Sequence, residues 1–472
     1  MQQAQKEAGP FWTVIFAVFF GNFLAVLSTT TINVALPVFM KDFSADLSTV
    51  QWTVTGFMLA MGAVAPTAGF FGGRLSYKKL YMIALAGFTF FSILCASAWN
   101  IESLILFRIL QGVFSGAIMP ATMTIVYQSI AKDKLAFAIS LWSLSAVLAP
   151  ALGPTAAGVL IDQFSWQAVF LINVPIGLAA IWAVIKFIPA GEMKKDLPFD
   201  FLGFVSVIIA SASLLIVFSE GYGWGWTSMK TIGLFFLGSV TFVYFIQREL
   251  KVKEPLLNFR VLNYSRYTYS LILNSVLSVS LYSGAFLTPV FIQSVQGASA
   301  LETGLIMLPG SLLMALMTPV VGKVYNAVGP VRLIFTGLLI MGIGTFMMGR
   351  LTVDISHGYV AFWMAIRYLG IALCNMPITN AGMTAVPPQD AGYASAINNW
   401  IRQGMASFSI GIFAAILAAR TAFHELEIKG TGIEAKAAAM SINDVYIVSL
   451  FPIILALPLT LLLIKEKKRA ET

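Results

Sequence analysis

Apolar runs long enough to cross a bilayer, separated by short polar loops, recur along the whole chain. A spanning helix needs about 20 predominantly apolar residues. By that measure fourteen spans are predicted, at 11–40, 51–72, 79–99, 102–127, 135–160, 166–188, 201–220, 231–250, 266–295, 302–323, 331–350, 358–385, 392–419 and 445–464. The pattern predicts an all-α integral membrane protein. A weak repeat runs through it: residues 69–79, after the second span, match residues 322–332, after the tenth. Arg108, early in the fourth span, likewise matches Arg367, early in the twelfth. Two equivalent six-helix halves account for both offsets, with spans 7 and 8 as an inserted pair. The expected divisions are 1–190 for the first bundle, 191–262 for the inserted helices and 263–472 for the second bundle. Duplicated halves around a midplane cavity are a recurring plan of secondary transporters.

The basic residues set the expected orientation. Of 29 Lys and Arg, 20 fall in the loops and ends on one side and six on the other, with Arg108, Arg367 and Arg402 inside spans. The positive-inside rule makes the richer side cytoplasmic, so both termini are expected there and the protein in the cell membrane. Only 11% of residues are charged, against about 25% in soluble domains. The net charge of +8 therefore reads as topology and not as a nucleic-acid face. Cys95 and Cys374 lie in apolar runs, so no disulfide framework is expected. His357 and His424 are expected in outer loops, and the outer stretch 420–444 as a short helical hairpin. No metal-ligand cluster, nucleophile elbow or phosphate loop appears. Neither enzyme activity nor a metal or cofactor is therefore expected, and an ATP-driven pump is disfavoured.

Several local patterns occur in order along the first half. The first span carries Leu27-Ser28-Thr29-Thr30-Thr31-Ile32-Asn33-Val34-Ala35-Leu36-Pro37, and Trp52 followed by Gly56 opens the second. Gly69, Arg74, Lys78 and Lys79 mark the loop between spans 2 and 3. Arg108-Ile109-Leu110-Gln111-Gly112 lies in the fourth span. The fifth holds Pro150, Gly153, Pro154 and Gly158, a density of breakers that a soluble helix would not survive but a membrane helix tolerates. Trp166, Phe170, Asn173 and Pro175-Ile176-Gly177 begin the sixth. In these residues the chain resembles the fourteen-helix drug:proton antiporter branch of the major facilitator superfamily, over nearly its whole length.

That resemblance implies a major facilitator fold: two six-helix bundles plus two inserted helices. It implies a monomeric secondary active transporter exporting amphipathic small molecules by proton antiport through alternating access, as in multidrug efflux and antibiotic resistance. The partners would be such molecules, protons and the lipid bilayer, with the proton gradient as energy source. A lipid or lipid-precursor flippase of the same fold is the alternative, and a membrane enzyme a more distant one. By the same resemblance the fifth-span segment is an antiporter motif, and Arg108 takes part in proton coupling or in the inward–outward switch. The chain departs from the family where Ser28, Gly73 and Asn326 replace carboxylates.

Charged groups inside a span cost about 3 kcal/mol each by insertion scales, so the three intramembrane arginines are candidates for function. Arg108 is either a coupling residue or a clamp on neighbouring carbonyls. Arg402 stands one turn after Asn398, beside the Asn399–Gln403 pair, and these four are either a substrate or coupling site or an interhelical hydrogen-bond network. Asn22, Thr29 and Asn33 share one stripe of the first span, and Asn375 adds a neutral amide in the twelfth. Met123 and Trp142 offer adaptable apolar surface, or simple packing. No acid falls near the middle of a predicted span; Asp200, Glu249, Asp162 and Glu220 sit at span ends. The expected substrates are therefore neutral, zwitterionic or anionic amphiphiles, with arginines as counter-charges. Bulky residues at Gly153 or Gly158 are expected to wedge a close helix contact.

Overall fold

The computed structural model describes residues 11–45, 47–189, 200–252, 255–298, 300–427 and 433–471. Of the residues named above, the side chains of Asn33, Val34, Pro37, Pro150, Pro154 and Asp162 lie outside what is described.

With no water in the bilayer core, each spanning segment must satisfy its own backbone polar groups, and helix is the local solution. Helix accordingly covers every predicted span. The helices are α1 (Phe11–Asp42), α2 (Leu47–Val64), α3 (Ala68–Leu75), α4 (Tyr77–Ala96), α5 (Ile101–Ser115), α6 (Ile118–Ser129), α7 (Lys132–Gln163), α8 (Trp166–Leu171) and α9 (Asn173–Phe187). The inserted pair follows as α10 (Phe201–Trp224) and α11 (Met229–Lys251). Then come α12 (Ser265–Val290), α13 (Ala300–Val328), α14 (Pro330–Met348), α15 (His357–Met383), α16 (Ala391–Glu427) and α17 (Ile433–Glu471). Spans 2, 4 and 6 are each built from two consecutive helices. Among the described residues, thirteen segments are long and apolar enough to cross a membrane, and α7, 32 residues long, covers the fifth predicted span.

The helical hairpin expected at 420–444 is formed by the ends of the spans themselves, since α16 and α17 continue through most of the stretch; residues 428–432 lie outside the described set. His424 is accordingly a helical residue and only 4% exposed. Its Nε2 lies 2.8 Å from Asp444 Oδ2, to which Arg420 Nε also donates at 2.6 Å. Polar side chains thus pair between α16 and α17 here, while Ala437, Ala439 and Ile442 of α17 are buried. His357 likewise opens α15, behind a Ser356 cap, and does not lie in a loop.

Contacts group the chain into two compact units. One comprises Met1–Ile216, Gly233–Asn263 and Val386–Trp400; the other Val217–Ile232, Tyr264–Ala385 and Ile401–Thr472. In the first unit α1 packs on α9, α2 on α5, and α4 on both α5 and α9. In the second, α12 packs on α17, α13 on α15, and α14 on both α15 and α17. These are the same four pairings, shifted by the repeat read from the sequence. The first unit's core includes Phe39, set edge-on to Trp166 at 5.4 Å. The second is organised around Leu338, Met364 and Tyr446.

The repeat extends to backbone geometry. Ser76, between α3 and α4, has φ 75 and ψ 148, and the matching Gly329, between α13 and α14, has φ 86 and ψ 151. Glycine adopts this conformation freely, whereas a residue with a Cβ is strained there by about 1–3 kcal/mol. The Ser76 side chain returns only a 3.4 Å cap to Lys79 N–H. Ser76→Gly is therefore expected to stabilise the protein by about 1 kcal/mol, read as a higher thermal-unfolding midpoint in detergent. A lower midpoint would show that the cap outweighs the strain.

Candidate functional site

Arg108 stands on α5 with no solvent exposure. Its Nε donates to Thr53 O of α2 at 2.9 Å, and Nη1 to Ser28 Oγ of α1 at 2.8 Å and to Gln111 Oε1 at 2.6 Å. Nη2 reaches Ser28 O at 3.3 Å, and the guanidinium lies 4.0 Å above the Phe57 ring. Gln111, one turn on, passes the network to α4 through Ser92 Oγ at 2.6 Å. Ser28, where the resemblance implies a carboxylate, is thus in direct contact with the arginine.

Arg367 repeats the arrangement in the second unit, also fully buried. On α15, its Nη2 donates to Ser280 O at 2.6 Å and to Ser283 Oγ at 2.9 Å on α12, and its Nε to Thr345 Oγ1 at 2.9 Å on α14. The guanidinium faces the Tyr446 ring at 5.4 Å. Among the described residues, neither arginine has a carboxylate partner. Each is held by neutral oxygens, in a setting where charge-assisted hydrogen bonds are strong. Both are enclosed by their own unit, which leaves Arg402, half-buried on α16, as the more accessible of the three intramembrane arginines.

Of the first-span stripe, Asn22 meets α7. Asn22 is fully buried and donates to Ser145 Oγ at 2.6 Å and Trp142 O at 3.3 Å, while its Oδ1 has no hydrogen-bond partner. Trp142 Nε1 in turn donates to Thr122 Oγ1 of α6 at 3.0 Å, beside the buried Met123. Thr29 turns back to its own helix, donating to Val26 O. Asn375 is half-buried on α15. On α16, Asn399 donates to Ser395 O of its own helix at 3.0 Å, and Trp400 Nε1 turns to α10, donating to Ser211 Oγ at 2.9 Å. Asn398, Arg402 and Gln403 are half-buried on the same helix.

The two motif glycines of α7 differ. A Cβ on Gly153 would stand 2.3 Å from Thr30 Oγ1 of α1, whereas one on Gly158 would have no neighbour within 4 Å. The expected close contact at Gly158 is therefore corrected: one and a half turns of helix separate the two residues, so they face different directions. In the loop 2–3 motif, Gly69 approaches Tyr393 of α16, to within 2.9 Å of its ring for a Cβ. Lys78 Nζ donates to Ile185 O at 2.9 Å. Arg74 is half-buried and Lys79 exposed, and Gly73 lies within helix α3. Tyr77, not singled out from sequence, donates to Gly69 O at 3.2 Å and fills the space above Gly72 and Gly392.

A second group also escaped the sequence. Asp200 and Glu249 are the buried acids among the described residues, at 7% and 2% exposure. Asp200 precedes α10 and accepts from Gly203 N–H at 2.9 Å and from Arg248 Nε at 2.8 Å on each oxygen. Burial alone would raise the Asp200 carboxyl, but these hydrogen bonds outweigh it and hold it below the usual carboxylate value. The signal was available: an antiparallel pair of helices brings the start of span 7 and the end of span 8 to one side.

The sequence model of the Major Facilitator Superfamily matches residues 18–410. The uncharacterized MFS-type transporter YhcA of Bacillus subtilis is 32% identical over 426 residues, covering 90% of this chain and 80% of the relative. The tetracenomycin C resistance and export protein of Streptomyces glaucescens is 28% identical over 410 residues, 87% of this chain and 76% of that protein. The fold matches that of the human organic anion transporter MFSD10 (TETRAN), with a TM-score of 0.65 at 14% identity, over 94% of this chain and 99% of that one.

Proposed function

The chain belongs to the Major Facilitator Superfamily and is a multi-pass membrane transporter, and on that basis we propose that it exports amphipathic small molecules in exchange for protons. The observation that carries this reading is the fifth-span segment with Pro150, Gly153, Pro154 and Gly158, whose resemblance to the antiporter motif is supported by the close approach of α7 to Thr30 of α1 at Gly153. The relative named for tetracenomycin C resistance and export supports the direction and the substrate class. The loops richer in Lys and Arg face the cytoplasm, with both termini, and the site of action is the cell membrane. The two six-helix halves rock to expose the substrate path alternately, with 191–262 as an insertion between them. Neutral polar groups such as Asn22 and Asn375 and the apolar surface of Trp142 and Met123 receive substrate. Arg402, with Asn398, Asn399 and Gln403, supplies the counter-charge for anionic or zwitterionic molecules. No chemical transformation of substrate is involved.

The test is transport in proteoliposomes with an imposed pH gradient, using one cationic, one neutral and one anionic amphiphile. Substrate-driven proton efflux is expected, with Arg402→Ala weakening transport of the anionic compound more than that of the cationic one. Movement of a lipid-like probe independent of the gradient, without response to any amphiphile, would favour the flippase and overturn this reading.

A further inference from the structure

Asp200 and Glu249 meet at one end of the α10–α11 pair, away from the middle of any span. Glu249 Oε2 accepts from Leu257 N–H at 2.9 Å, but its Oε1 is buried and has no hydrogen-bond partner. Oε1 and Asp200 Oδ2 each lie 2.7 Å from the point where a Cβ on Gly203 would stand, so they are no more than about 5.4 Å apart. Glycine at 203 is what leaves room for them. Among the described residues, Asp200 and Arg248 are the charged groups in range of Glu249. Arg248 is engaged by Asp200 and adjoins Tyr244. Lys251 and Arg260 are exposed nearby, and Asp390 is hydrogen-bonded to Asn258, the residue after Leu257. Two carboxylates thus share one cation.

A buried acceptor left without a donor carries an uncompensated desolvation cost, and an unpaired buried charge costs more. One proton on Glu249 Oε1 removes both penalties. It cancels the excess negative charge and gives the orphaned oxygen an O–H, with Asp200 Oδ2 within about 5.4 Å of it. We propose that Glu249 and Asp200 form a proton-binding site at the end of the inserted helix pair, exchanging one proton with the adjoining aqueous side. Without the proton, two carboxylates oppose each other across Gly203, and the ends of α10 and α11 are pushed apart. The site's effect on transport rests on the proton-exchange reading above; its occupancy by a proton does not.

Infrared difference spectroscopy of the purified full chain in lipid tests the occupancy directly. Wild type is expected to show a protonated-carboxyl C=O band at neutral pH that disappears as the pH is raised. Glu249→Gln is expected to lose the band. Asp200→Asn, which frees Arg248 to face Glu249, should also lack it at neutral pH, and this variant keeps the test alive if Glu249→Gln fails to fold. A neutral-pH spectrum shared by wild type and either variant overturns the site. In proteoliposomes, dependence of exchange on pH at the Glu249 side should be lost in Glu249→Gln; if retained, the link to transport is overturned. Absence of any exchange in wild type, with the band intact, overturns the export reading alone.

Discussion

Replacing Arg108 by alanine is expected to destabilise the first unit by about 3 kcal/mol, and Arg367→Ala the second unit by a similar amount. Each change removes a fully enclosed side chain and leaves a cavity. It also strips donors from several buried acceptors at once: Thr53 O, Ser28 and Gln111 in one unit, Ser280, Ser283 and Thr345 in the other. Relief of the desolvation cost of an uncompensated guanidinium offsets part of the loss, which keeps the expected value well below the sum of those bonds. Lysine should recover little, because one ammonium cannot serve acceptors spread over two or three elements as a planar fork does. The protein carries its own reporters, since Cys95 and Cys374 are buried free thiols, one in each unit. On heating with a thiol-reactive dye, Arg108→Ala should advance labelling of Cys95 and Arg367→Ala that of Cys374, with the other cysteine replaced by serine in each case. Labelling at the wild-type temperature would remove the clamp role from that arginine.

The second large effect is expected at Gly112, one turn after Arg108. A Cβ there would stand 2.3 Å from the carbonyl oxygen of Phe57 and 3.0 Å from its Cα. The obstacle is backbone, so no rotamer change relieves it, and α2 and α5 must move apart. Gly112→Ala is expected to cost about 3 kcal/mol, the upper end for overpacking, and to disturb the Thr53 and Arg108 contact in the same helix pair. Gly158→Ala, with open space around it, should stay within about 0.5 kcal/mol of wild type. The Cys95 labelling temperature distinguishes the two. Equal tolerance at both positions would contradict the close packing of α2 on α5.

Much of the candidate site was legible in the sequence as residue types and little of it as contacts. Arg108 and Arg367 stood out because a charge in an apolar run needs a partner, and the repeat made them counterparts. Their acceptors were hidden, since serine and threonine are common in membrane helices and only packing shows which hydroxyls face inward. Gly153 and Gly158 looked alike in a motif, but helix rotation sends one against Thr30 and the other to open space. Asp200 and Glu249 read as unremarkable span-end acids because hydropathy sees each span alone. Their approach depends on the ends of α10 and α11 being adjacent, which also hides both from water.

Helical spans, their order and the duplicated plan were determined by the sequence itself, for a local reason. In a bilayer each backbone must pair its own polar groups, so length and apolarity alone dictate helix. A repeated pattern of breakers and basic residues then marks the two halves. Partner choice was decided only by the tertiary structure: which oxygen receives a guanidinium, which glycine admits a neighbouring helix, which carboxylate is left with an unpaired oxygen. Those outcomes depend on helix rotation and on approaches of a few tenths of an ångström between segments far apart in sequence. Hydropathy carries no information at that scale, whereas burial energies turn on it.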